Sequence, residues 1–182
     1  MKIYIVLTMT GTVFSRFLRL MTNKEYTHAS IALDKDFNEL YSFGRRSMIL
    51  PIIAGFIKEE VDKGIFKVYD TSCEILELEV SDTAYENLRN EIEKYKESYD
   101  KYKYNLLGLP FMWFDIPYER EHHLVCSQFV ASVLYFSKIC DFNKSWTLIR
   151  PFDFYDIEGV KSIFKGKLQD YVRKERGYEK IS

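Results

Sequence analysis

The feature that most constrains this chain is the stretch 124–135, Leu-Val-Cys-Ser-Gln-Phe-Val-Ala-Ser-Val-Leu-Tyr. From Cys126 onward its apolar residues fall at Phe129, Val130, Val133 and Leu134, the spacing of a buried helical face. Asp115, Pro117 and a polar run over 119–123 lie upstream, so a loop is expected to end there and Cys126 to stand in or just before the first helical turn. A helix start offers free N–H groups and the positive end of the helix dipole, which lower a thiol pKa and can cradle an oxyanion. A cysteine so placed is either a candidate nucleophile or a small core residue, and a partner base decides between them.

The chain around this helix reads as one folded domain. Its 182 residues are 47% hydrophobic, enough to fill a core. A net charge of −1 gives no bias toward nucleic acid or an anionic membrane. Cys73, Cys126 and Cys140 are widely spaced and odd in number, unlike a zinc site or a secreted disulfide scaffold, so a reducing compartment is expected. The apolar run near the start is too short for a signal peptide or a membrane span. A soluble, cytoplasmic protein with no integral membrane segment follows as the expectation.

Hydropathy alternation predicts strands over 2–8, 28–33, 39–43, 65–69 and 74–80. Amphipathic spacing predicts helices over 13–21 and from Ser81 toward Tyr99, with a short one near 57–61. The segment 48–56 reads as a loop over the core, and 102–114 as an aromatic connection that covers the core or borders a cleft. The charged tail 165–182 is expected to fray or lie on the surface.

His28 opens a strand on which Ser30 and Ala32 share its face, leaving room for a helix start to pack closely. The turn at 34–38 makes a hairpin with 39–44. If Leu33 pairs with Glu39, then Ser30 faces Ser42, and Ser42 lies diagonal to His28 on the same face. Glu39 and Tyr41 would point the other way unless the hairpin is bulged. A thiol at a helix N-terminus opposed by a strand histidine is the arrangement in which imidazole takes the thiol proton and the thiolate attacks a carbonyl.

Four segments carry a resemblance: Thr-His-Ala-Ser-Ile-Ala-Leu at 27–33, Leu-Tyr-Ser-Phe-Gly at 40–44, Val-Cys-Ser-Gln-Phe-Val at 125–130 and Arg-Pro-Phe-Asp at 150–153. Together they resemble the circularly permuted branch of the NlpC-type papain-like superfamily, related to the lecithin:retinol acyltransferases, in which the histidine strand precedes the cysteine helix. The resemblance implies an α+β, papain-like domain over 1–182, with an antiparallel sheet packed against helices. It also implies a cysteine-dependent hydrolase (amidase or peptidase) or acyltransferase that passes through an acyl-cysteine on Cys126 with His28 as base. Small peptides, amides or lipid-acyl groups are the implied substrates, with no cofactor.

The resemblance places an acidic or other polar residue on the strand after the histidine, and Ser42 aligns there, with Glu39 as the fallback if the hairpin is bulged. A hydroxyl orients imidazole but adds no charge to stabilise imidazolium. Ser127, Gln128, His123 and Tyr41 are the candidate substrate or oxyanion contacts. The alternatives are a non-catalytic ligand- or peptide-binding module on the same fold, which a non-acidic third residue favours, and metal binding by Cys126 with His122 or His123, for which the remaining ligand spacing is missing.

Overall fold

The computed structural model describes residues 1–10, 24–46 and 54–177. The helix expected over 13–21 lies outside them. The architecture is α+β: six antiparallel strands in the order β4-β3-β2-β1-β5-β8, with several helices. Strand β1 (Lys2–Met9) is central, pairing with β2 (His28–Ala32) on one side and β5 (Ser72–Glu79) on the other. Its six buried residues in a row fit a strand covered on both faces.

Each face of the sheet carries its own apolar layer. Ile3, Ile5, Leu7, Ala29, Ile31 and Phe43 project toward α2 (Asp82–Glu97) and α4 (Cys126–Phe136). Tyr4, Val6, Ala32, Leu40 and Ile75 project the other way, onto α5 (Leu168–Glu175). Helix α2 begins as its sequence dictates, with the Ser81 hydroxyl accepting from Ala84 N–H at 3.1 Å and Tyr85, Leu88 and Ile92 buried. Helix α4 goes further than its apolar stripe suggests, since every residue from Cys126 to Leu134 is buried. The polar Ser132 is tolerated there because its hydroxyl donates to Phe129 O and meets Tyr95 Oη at 3.0 Å.

Three expectations fail. Residues 54–58, assigned to a loop and a short helix, form edge strand β4 (Ala54–Lys58), which pairs with β3 (Leu40–Arg45) from Tyr41 opposite Lys58 to Arg45 opposite Ala54. The expected strand over 65–69 is the short helix α1 (Gly64–Val68). It buries only Phe66 and leaves Val68 63% exposed, so the apolar run never needed two covered faces. The charged tail pairs with the sheet as β8 (Lys161–Lys167) and continues into α5, whose Leu168, Tyr171 and Val172 are buried at helical spacing.

Gly55 marks the close approach of β4 to residue 102. A Cβ added there would stand 2.3 Å from the Tyr102 carbonyl oxygen, a backbone atom that cannot swing aside. Gly55→Ala is therefore expected to destabilise the protein by about 1–3 kcal/mol, read as a lower denaturation midpoint. An unchanged midpoint would mean that this approach is looser than described.

Candidate active site

The hairpin adopts the register that the sequence suggests. Ile31 is opposite Tyr41, Ala32 is opposite Leu40, and Leu33 N–H donates to Glu39 O at 3.0 Å. The ladder then stops. Continued two residues toward the strand start, it would give Ala29 N–H to the Phe43 carbonyl; instead that N–H lies near enough to Cys126 to favour the charged form of its thiol. The parting of β2 and β3 beyond Ile31 thus admits the first turn of α4.

Strand alternation sets His28, Ser30, Ala32, Leu40 and Ser42 on one face, as expected. Strand β4 adds what the sequence reading missed. Ser42 is opposite Ile57, and Glu59 N–H donates to Leu40 O at 2.8 Å, so Glu59 continues the β4 ladder onto this same face. Its carboxylate is buried, with 6% of the side chain exposed. One oxygen lies 2.8 Å from His28 Nε2 and accepts from the Ser42 hydroxyl at 2.9 Å, while the other accepts from Ser30 at 2.6 Å. Three donors satisfy the charge, which is what a buried carboxylate requires.

The acidic partner of His28 is therefore Glu59. Ser42 reaches the imidazole, 3.2 Å from Nε2, but shares that place with the carboxylate and does not act alone. The fallback, Glu39, is directed elsewhere: it accepts from Tyr41 Oη at 3.2 Å and lies 3.7 Å from Arg89. Glu59 escaped notice because its strand contains a glycine, lies on the sheet edge and directly follows the irregular stretch around Pro51. The one available signal was the acidic pair Glu59-Glu60 placed just after an aromatic-aliphatic run.

Glu59 occupies Nε2, which leaves Nδ1 as the ring nitrogen available to Cys126, whose charge acts on the imidazole. Burial alone would raise the cysteine pKa, yet the His28 imidazolium and the N–H groups of Ala29 and Ser127 hold it below the usual thiol value. For His28, burial acts to lower the pKa; the Glu59 carboxylate and the Cys126 thiolate outweigh it and hold the imidazole well above its usual value. The carboxyl of Glu59 is likewise pushed up by burial but ends below its usual range through the imidazolium and the two serines. Each of the three groups favours the charged form of the next, and 20% of the His28 side chain is exposed.

Local sequence explains how the helix start serves the sulfur. Val125 occupies the N-cap position and has no side-chain acceptor, so it cannot claim the first N–H groups of α4. Ser127 N–H is free to donate to Cys126 Sγ, and the buried Ser127 contributes through its backbone. Gln128 is instead spent on architecture: its Oε1 accepts from Val125 N–H at 3.0 Å and its Nε2 donates to Thr147 O at 2.8 Å. It fixes the chain entering α4, the reach-back half of a capping box.

The remaining candidates are not brought to the sulfur. Tyr41 stacks on Phe56 at 5.9 Å on the opposite face of β3. His123 lies in β7 (His123–Leu124), with Nδ1 2.7 Å from Glu121 O, and His122 stacks on Tyr102 at 5.3 Å. Among the described residues, no group of three His, Cys, Asp or Glu side chains is arranged to hold a metal ion. The Arg-Pro-Phe-Asp segment is structural as well: Asp153 accepts from Arg150 N–H at 2.7 Å, and the Arg150 guanidinium holds Met112 O and Asp115.

No family model, curated protein or solved structure matches the chain. The aromatic connection contains α3 (Gly108–Trp113), which buries Met112 and leaves Phe111, Trp113 and Phe114 exposed. Among the described residues, no helix is long and apolar enough to cross a membrane.

Proposed function

We propose that the protein is a cysteine-dependent acyl-transfer enzyme, a thiol hydrolase (amidase or peptidase) or an acyltransferase, on a circularly permuted papain-like fold. The observation that carries this reading is the imidazole of His28 held between the Cys126 thiol and the Glu59 carboxylate at the start of a helix. The histidine strand precedes the cysteine helix and the helix packs on an antiparallel sheet, which supports the permuted arrangement. All three cysteines are free thiols, which suits a reducing, cytoplasmic setting.

The chemistry follows from the charges. The thiolate attacks the carbonyl carbon of a peptide, amide or acyl ester; a C–S bond forms and the carbonyl electron pair moves to oxygen, toward backbone N–H at the helix start. As the intermediate collapses, the bond to the leaving group breaks and His28 gives that group its proton. The neutral imidazole then takes a proton from the acceptor (water, amine or alcohol), which attacks the thioester and releases the thiolate. Glu59 stays ionised and keeps the ring oriented with Nδ1 toward sulfur.

The test is the intact mass of the protein after incubation with a panel of acyl esters and peptidyl thiol-directed probes. An adduct mapped to Cys126, absent from Cys126→Ala and strongly reduced in His28→Ala, is expected, and the probe that forms it defines the donor class. Should every probe leave the mass unchanged, a binding module on this fold becomes the better reading.

A further inference from the structure

A connection that runs over a protein surface ordinarily turns polar side chains to water. The connection between β6 (Lys103–Tyr104) and β7 does the opposite. Across 105–118 it carries a single charged side chain, Asp115, whose carboxylate lies 2.5 Å from the Arg150 guanidinium. Leu106, Leu107, Phe111, Trp113, Phe114 and Ile116 are all exposed, Phe114 to 72% and Leu107 to 63%, whereas Met112 is turned inward. A polar scaffold holds the backbone beneath them. Asn105 N–H donates to Leu124 O and Gly108 N–H to Asn105 Oδ1, each at 3.0 Å, and Ile116 N–H donates to Phe111 O at 2.9 Å. The Arg150 guanidinium also donates to Met112 O, and the Phe111 ring stacks on Tyr118 at 4.4 Å.

An exposed apolar patch of a few hundred Å² marks a surface that meets another apolar body. Six side chains of this size, about half exposed, present on the order of 600 Å². A stable contact between two copies needs about 800 Å² from each, spread over roughly 20–30 residues a side, which this short run does not supply. A bilayer asks less: a few aromatic and aliphatic side chains entering the headgroup boundary, with tryptophan at that depth. Charge at the rim selects the kind of bilayer. Lys101 and Lys103 stand exposed before the run, and Glu119, Arg120 and Glu121 stand exposed after it. Cations and anions are mixed there, so each pole of a zwitterionic headgroup finds a partner and no marked excess draws anionic lipid.

We infer that residues 106–116 form a membrane-contact element, which seats the protein on the surface of a zwitterionic bilayer without crossing it. The element leaves from and returns to the strand pair that leads into α4, where Tyr104 is opposite Leu124, two residues before Cys126. Seating on lipid does not depend on the chemistry of Cys126.

The full chain is mixed with phosphatidylcholine vesicles, and the bound fraction is read by co-sedimentation alongside tryptophan emission. Trp113 and Trp146 are the two tryptophans. Wild-type emission is expected to shift to the blue with lipid and to be quenched by brominated acyl chains; Trp113→Phe should lose both responses and still bind. A variant carrying Trp113→Ser and Phe114→Ser should bind at least about tenfold more weakly, with an unchanged denaturation midpoint because both side chains are exposed. Cys126→Ala should bind as wild type does, which keeps this contact separate from the acyl-cysteine reading. Phosphatidylglycerol added to the vesicles should change binding by less than about threefold. The inference fails if wild type stays in the supernatant, if the double variant binds as tightly as wild type, or if binding requires phosphatidylglycerol. It fails equally if wild type without lipid is a dimer that the double variant separates, since the surface would then belong to a second copy.

Discussion

At pH 7, Cys126 is expected to react with iodoacetamide at least about a hundredfold faster than Cys73 or Cys140. Thiolate is the reacting species, and burial pushes Cys73 up to about 12 and Cys140 up to about 11. A thiol near 11 has on the order of one molecule in ten thousand ionised at neutrality. Cys126 stands below its usual value, and the lower intrinsic nucleophilicity of a stabilised thiolate returns only part of that advantage. The pH dependence follows from the two opposed shifts. Because the cysteine is lowered, labelling persists as pH falls from 9 and is lost only through its depressed value. Because His28 is raised, the imidazolium partner survives neutrality and is lost only as pH climbs through that raised value. His28→Ala removes the principal stabiliser while burial continues to oppose ionisation, so labelling at pH 7 should drop by about tenfold or more. Cys126 labelling no faster than Cys140, or indifferent to His28→Ala, would rule out a catalytic pair.

The second large effect concerns the carboxylate. Glu59→Gln keeps the shape and one acceptor but removes the charge that sustains the imidazolium and fixes the ring tautomer. Acyl transfer to a responsive probe is expected to slow by about a hundredfold or more, the scale of losing the oriented acid behind a catalytic histidine. Stability should fall too, by about 1–3 kcal/mol, because the Ser30 and Ser42 hydroxyls and His28 Nε2 were all directed at that carboxylate. The pH sense is fixed by the lowered Glu59 value: its contribution is present above the ordinary carboxyl range and vanishes as pH falls through the depressed one, so wild type and variant should converge in acid. Ser42→Ala should cost much less, and Glu39→Gln should leave activity unchanged. A Glu59→Gln enzyme with wild-type turnover, or a dead Glu39→Gln enzyme, would relocate the acid.

What the sequence discloses here is what local pattern can carry. The apolar spacing of Phe129, Val130, Val133 and Leu134 announces helix α4, and the period of two in residues 28–33 and 39–43 gives both the hairpin register and the shared face of His28 and Ser42. Glu59 depends on β4, a short edge strand with Gly55 at its centre, where pairing to β3 overrides weak local propensity. Helix α1 and the helix of the tail follow tertiary need: Phe66 and the Leu168, Tyr171, Val172 set each cover the sheet face away from α4. The tail's spacing was readable, but its charge density concealed it.

The separation along the chain of the two halves of the site has a consequence for the life of the polypeptide. Strands β2, β3 and β4 are successive neighbours, so His28 and Glu59, 31 residues apart, meet through a meander that can form early. The cysteine arrives only when α4, much later in the sequence, docks where β2 and β3 part. Until then Cys126 is an ordinary thiol, only a few per cent ionised at neutral pH. A nascent or partly unfolded chain is thereby spared a reactive sulfur, and chemical competence arises together with the completed tertiary structure.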